Sequence, residues 1–147
     1  MTYSNILIAI DGSECSMNAV KKGIELAKDL SANVILLSLV DMTIMINNAA
    51  AGAIIDSEME VIYKEDAANT INEALKRYPY NKTTGIVEEG IPQEAINKIA
   101  MEHKVDLIVM GTHGRTGFNH LFMGSIAEQV IRYSRIPVMV VTIPTNN

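Results

Sequence analysis

Gly111, Gly114, Gly117 and the pair Gly124-Ser125 fall within one stretch, between the apolar run Val105–Met110 and a segment with helical spacing. Residues of these types suit a bound phosphate. Glycine lets the backbone approach an anion with no side chain in the way, and a Gly-Ser pair at a helix start offers free N–H groups and the positive end of the helix dipole. Three residues inside the stretch could add charge. Imidazole as a side-chain type titrates near neutrality, which invites a catalytic role for His113, but the sequence assembles no serine–histidine–acid or paired-carboxylate set around it, so it reads as an ordinary polar loop residue. Arg115 and His120 read as surface residues, with Arg115 also able to reach a phosphate. Glycine-rich connections more often serve tight turns than ligands. Position favours binding here, because the stretch joins a strand to a helix and ends on Gly-Ser at the helix start.

Asp11 is a second candidate, closing the run Ile6–Ile10 in the turn Asp11-Gly12-Ser13. A turn former and a ligand contact are equally open for it, and the two roles are compatible. A carboxylate would meet phosphate oxygens only through Mg²⁺, since bare contact is repulsive, which leaves a metal open. The lone Cys15 rules out an internal disulfide and a multi-cysteine zinc site, suits a reducing compartment, and reads as a packing or surface residue. His103 reads as a helix cap. Most of the nine methionines lie in or beside apolar stretches and read as core filling, whereas Met42, Met45 and Met59 flank an unpatterned connection where they could close over a ligand or meet a partner.

The elements that must position these residues follow from hydrophobic spacing. Ile6–Ile10 and Val34–Val40 are apolar without alternation, as parallel strands covered on both faces should be. Between them a helix capped by Ser13 buries Val20, Ile24, Ala27 and Leu30, and breaks at Ser31–Asn33. From Asp41 to Asp56 no period persists, so this is a long connection. Ser57 and Glu60 match a capping box for a helix with Ile62, Ala67, Ile71, Ala74 and Leu75 on its apolar side, ending at Tyr78-Pro79. Thr83–Glu88 is a more polar strand, as an edge strand tends to be. Pro92 suits the first turn of the next helix, which buries Ile96, Ile99 and Ala100. Asp106–Met110 is the fourth strand, Ser125, Ile126, Val130 and Tyr133 mark the last helix, and Val138–Ile143 is the last strand, with Pro144 just past it. Five strands alternating with four helices predict an α/β fold, an open and mostly parallel sheet with helices on both faces.

Composition narrows the function. The length of 147 residues and the 48% hydrophobic content suit a single domain, 1–147, with a sizeable core. A net charge of −5 with only 5% aromatic residues argues against nucleic acid, which wants a basic, stacking surface. No signal peptide or membrane span is legible, so the expected location is cytoplasmic, with no membrane partner.

The glycine spacing Gly111-x2-Gly114-x9-Gly124-Ser125, together with Ile6–Ser13, Val34–Asp41, Gly90–Ile96 and Arg135–Val141 in that order, resembles the ATP-binding branch of the universal stress protein family. The resemblance covers nearly the whole chain. It implies a Rossmann-like sheet of order 3-2-1-4-5, with the first and fourth strands adjacent where the winding reverses and ligands bind. It further implies that Gly111 and Gly114 meet the ribose and first phosphates, that Gly124, Ser125 and the Ile126 amide take the terminal phosphates, and that Asp11 and the Val40 backbone lie beside the adenine and ribose.

The expected function is therefore an ATP-binding stress-response or signalling module, acting through nucleotide-dependent conformation or partner binding, with slow hydrolysis left open. The enzyme alternative is an adenylating or phosphoryl-transfer protein. Against it, the chain has no Gly-x4-Gly-Lys-Ser/Thr loop, and its first strand ends in Asp-Gly-Ser-Glu rather than Ser-Gly-Gly. The third alternative is a structural dimer module without nucleotide, a kind that by resemblance lacks the glycine pattern retained here. A homodimer through the last strand and a protein partner not named by the sequence complete the expectations.

Overall fold

The computed structural model describes residues 2–54, 57–113 and 123–143. Strands β1 (Asn5–Ile10), β2 (Asn33–Asp41), β3 (Thr83–Gly90), β4 (Leu107–Gly111) and β5 (Val138–Val141) form one sheet, all parallel, in the order β3-β2-β1-β4-β5. Helices α1 (Glu14–Leu30), α2 (Thr43–Ala50), α3 (Ser57–Arg77), α4 (Pro92–Glu102) and α5 (Ser125–Tyr133) connect them.

Successive side chains of a strand point to opposite faces, and here both faces are covered. Ile6, Ile8, Val34, Leu36, Leu107 and Val109 join Val20 and Ile24 of α1 and Ile71 of α3 in one core layer. Leu7, Ile35, Leu37, Ile108 and Met110 join Ile96 and Ile99 of α4 and Ala127 and Val130 of α5 in the other. This double cover explains why the central strands carry no polar alternation. Ser13 caps α1 by accepting the Ser16 N–H at 3.1 Å, as expected, and His103 is the C-cap of α4.

Several expectations need correction. The connection after β2 is not unstructured: Asp41 Oδ1 accepts the Thr43 N–H at 2.9 Å, satisfying a donor that starts α2, a helix the spacing did not predict and the fifth among the described residues. No described side chain of α2 is buried, which is why hydrophobic spacing could not reveal it. Ser57 is the first residue of α3 rather than a cap before it. Ile62 is 55% exposed, since α3 meets the core only from Ala67 onward. On α5 the buried residues are Ala127 and Val130, whereas Ser125, Ile126 and Tyr133 face outward, because an edge helix covers the sheet with a narrow stripe. Strand β5 ends at Val141, short of Ile143, and Gly111 belongs to β4 instead of the loop after it. Gly114, Arg115, Gly117, His120 and Pro144 lie outside the described residues.

Candidate functional site

Parallel strands linked by right-handed helical crossovers leave a crevice where the direction of winding reverses. Here that point lies between β1 and β4, which pair from Ile6↔Leu107 to Ile8↔Val109. Asp11 follows β1. Its Oδ1 accepts the Ser13 N–H at 2.9 Å and its own N–H donates to Ser16 Oγ at 3.3 Å. Gly12 has φ of 83°, a left-handed conformation that glycine takes without strain and that turns the chain into α1. Asp11 thus serves as a turn former while standing at the crevice.

On the opposite wall, Gly111 closes β4. A Cβ added there would lie 2.8 Å from Cys15 Sγ and 3.1 Å from the Cys15 carbonyl carbon and oxygen. The first turn of α1 rests directly on this glycine, so close packing alone requires it. Cys15 is buried, as one of the two roles read for it from sequence.

Thr112 ties the site together and was not singled out by sequence reasoning. Its carbonyl accepts the Gly124 N–H at 2.6 Å, its own N–H donates to the Val141 carbonyl at 3.2 Å, and its Oγ1 lies 2.9 Å from His113 Nδ1. The Thr112–Gly124 bond brings the start of α5 to the end of β4. A short hydroxyl residue at the strand end, between Gly111 and His113, was the available signal.

Gly124 is the N-cap of α5, with φ −63° and ψ 152° and no capping side chain. The first N–H groups of a helix have no intrahelical acceptor, and Ser125 and Ile126 in this first turn are exposed. With the helix dipole, they form an end suited to an anion. Val40 is buried near the end of β2, the other neighbour of β1. The fold therefore gathers Asp11, Gly111, Gly124, Ser125 and Ile126 at one end of the sheet, with Val40 one strand away.

Among the described residues, no group of three or more His, Cys, Asp and Glu could hold a metal ion, and no helix is long and apolar enough to cross a membrane. A polar groove of about 450 Å³ lined by Asn5, Asn33, Lys82, Thr84 and His103 lies at the opposite end of the strands. Helix C-termini face that end, so it lacks the N-terminal donors that favour an anion.

Comparison with known proteins bears on this geometry. The model of the universal stress protein family matches residues 2–142. Universal stress protein MJ0531 of Methanocaldococcus jannaschii is 34% identical over 143 residues, which span 97% of this chain and 84% of that protein. The hypothetical protein MJ0577, whose structure served to assign its biochemical function, superposes with a TM-score of 0.82 at 32% identity, over 99% of this chain and 100% of that one. A universal stress protein solved in complex with cAMP shares the fold at 23% identity and a TM-score of 0.66, over 97% of this chain and 98% of that one.

Proposed function

The chain belongs to the universal stress protein family, and on that premise we propose that it is a nucleotide-binding module that takes ATP in the crevice between β1 and β4. One observation carries the reading: the 2.6 Å bond from the Gly124 N–H to the Thr112 carbonyl, which docks an uncapped helix N-terminus beside the strand end where α/β folds bind ligands. In this reading Gly124, Ser125 and the Ile126 amide hold the terminal phosphates. Gly111 and Gly114 serve the ribose and first phosphates, Arg115 adds a cation, and Asp11 and the Val40 backbone meet the nucleoside.

The residues fit a nucleotide better than a resident metal. Mg²⁺ favours phosphate and water oxygens supplemented by one or two carboxylates. It would enter on the triphosphate, with Asp11 as a carboxylate of the crevice wall. What this chain supplies is orientation, through the helix start and the turn at Asp11, and the output is a change of conformation or of protein partner.

The same reading makes the chain a single domain and a homodimer through β5. That strand is at a sheet edge, and the nearby α5 exposes Ile126 and Tyr133, seven positions apart and so on one side of the helix, by 39% and 63%, apolar side chains that a second copy would cover. Mass spectrometry of whatever nucleotide co-purifies with the protein tests the function. An adenine nucleotide supports it, and a protein that neither carries nor takes up nucleotide would be the structural dimer module instead. A turnover assay separates both from a dedicated enzyme.

A further inference from the structure

Residues 57–66, the first ten of α3, bury no side chain, although the helix is formed from Ser57 onward. A crossover helix runs back against the strands it connects. Lys64 bridges at 2.7 Å to Glu89, next to the last residue of β3, so the turns before it project past the end of the sheet and have no strand to cover. These turns are nonetheless apolar on one side. Met59, Ile62 and Tyr63 stand at spacing i, i+3, i+4 on one face, exposed by 42%, 55% and 44%. With Val61 on another face, four of the twelve exposed large hydrophobic side chains among the described residues fall in five consecutive positions. Apolar side chains scattered singly over a surface need no account, whereas a cluster of them marks a contact surface.

Charge decides what covers it. The same ten residues carry four carboxylates, Glu58, Glu60, Glu65 and Asp66, against one lysine, and Lys64 is itself held between Glu60 at 3.1 Å and Glu89 at 2.7 Å. An anionic membrane surface would be repelled by this rim, and two copies stacked through the same face would set carboxylates against carboxylates. A cationic partner suits both the stripe and its rim. We propose that this face of α3 docks an amphipathic helix with a basic polar face, supplied by another protein. Its apolar side chains would cover Met59, Ile62 and Tyr63 while its lysines and arginines meet Glu65 and Asp66. A helix is the matching shape, because ten exposed residues give about 15 Å of free helix whose ridges take a second helix in their grooves. The inference gives a chemistry to the protein partner of the proposed function, and its test is made without ATP, so it does not stand or fall with the nucleotide site.

The probe is a synthetic peptide of about 14 residues, with leucine at i, i+3, i+4 and i+7 spacing and lysine elsewhere, titrated calorimetrically into the whole protein. Two control peptides share its length, one with glutamate for every lysine and one of the same composition scrambled so that the leucines form no stripe. The lysine peptide should bind, with shift changes in ¹H–¹⁵N spectra centred on residues 57–66, and the controls should not. Ile62→Ser and Tyr63→Ser should each weaken binding by about tenfold, with melting curves little changed because this part of α3 meets no core. Glu65→Lys combined with Asp66→Lys should weaken it likewise and admit the glutamate peptide. If a serine variant melts early, the charge-reversal variant decides. Equal binding of the scrambled control, shift changes centred elsewhere, or wild-type affinity in a folded Ile62→Ser would overturn the proposal. So would a dimer that Ile62→Ser dissociates in light scattering, which makes the cover a second copy, or co-sedimentation with anionic phospholipid vesicles that Ile62→Ser abolishes, which makes it a membrane.

Discussion

Replacing Gly111 by alanine tests whether the wall of the crevice is set by packing. The added methyl group would stand 2.8 Å from Cys15 Sγ and 3.1 Å from the Cys15 carbonyl carbon and oxygen. Sulfur can rotate away, but backbone in the first turn of α1 cannot. That turn is held by the Ser13 cap and by the Met17 N–H on the Ser13 carbonyl at 2.9 Å. The helix must therefore lift from the end of β4, and overpacking of this kind costs about 1–3 kcal/mol. For a chain of this length the melting temperature should fall by roughly 3–9 °C. Thermal and urea unfolding of Gly111→Ala, Cys15→Ala and the double variant form the assay. The double variant should recover part of the loss and not all, because removing sulfur leaves the backbone contacts in place. A Gly111→Ala protein as stable as the wild type, or full recovery in the double variant, would refute the reasoning.

Other consequences follow from the same geometry. The Pro137 and Val141 carbonyls face β4, accepting from the Ile108 and Thr112 N–H groups at 3.0 and 3.2 Å, so the alternate Val140 points its N–H away from the sheet. Val140→Pro should spare the ladder and turn a dimer into a monomer by light scattering; an intact dimer would exclude this edge as the interface. Hydrogen exchange across Asp41–Ile54 should be fast without ligand, since α2 buries no described side chain, and should slow with ATP. Equal rates in both conditions would count against a covering role. Ser13→Ala removes the acceptor of the Ser16 N–H and should lower stability by about 0.5–2 kcal/mol in urea melts, against no change if the cap contributes nothing.

Much of this fold was legible because the central strands are buried on both faces. Ile6–Ile10 and Val34–Val40 announce themselves as continuous apolar runs, and the Ser13 cap and Pro92 mark two helix starts with local chemistry. The strand order came from family resemblance, since spacing says nothing of which strands pair. Helix α2 was illegible for the opposite reason: with no buried stripe it leaves no period, and a single Asp41–Thr43 bond starts it. Residues 57–66 of α3 misled in the same way, with Ile62 set in an apolar pattern that meets no core. At the site, the glycines were visible but one of their reasons was not. Gly111 is required by Cys15, far away in the chain and so beyond any local pattern. Thr112 was missed because its hydrogen bonds run to Gly124, Val141 and His113, and only the folded chain assembles them.

The claim that α5 begins a phosphate site is tested most directly by titrating ATP calorimetrically into the wild type, Ser125→Ala and Gly124→Val, with melting curves as a control for folding. The φ of −63° at Gly124 is open to any residue, so valine adds no left-handed strain and acts through its bulk beside the phosphates. Ser125 is exposed at the helix start, and loss of its hydroxyl should remove a bond to a charged group worth about 1.5–3 kcal/mol, or about ten- to a hundredfold in affinity, with little change in the ligand-free melt. Gly124→Val should weaken binding further. ATP bound equally well by wild type and a folded Gly124→Val variant would mean that the start of α5 is only a turn, and the phosphate site would not exist.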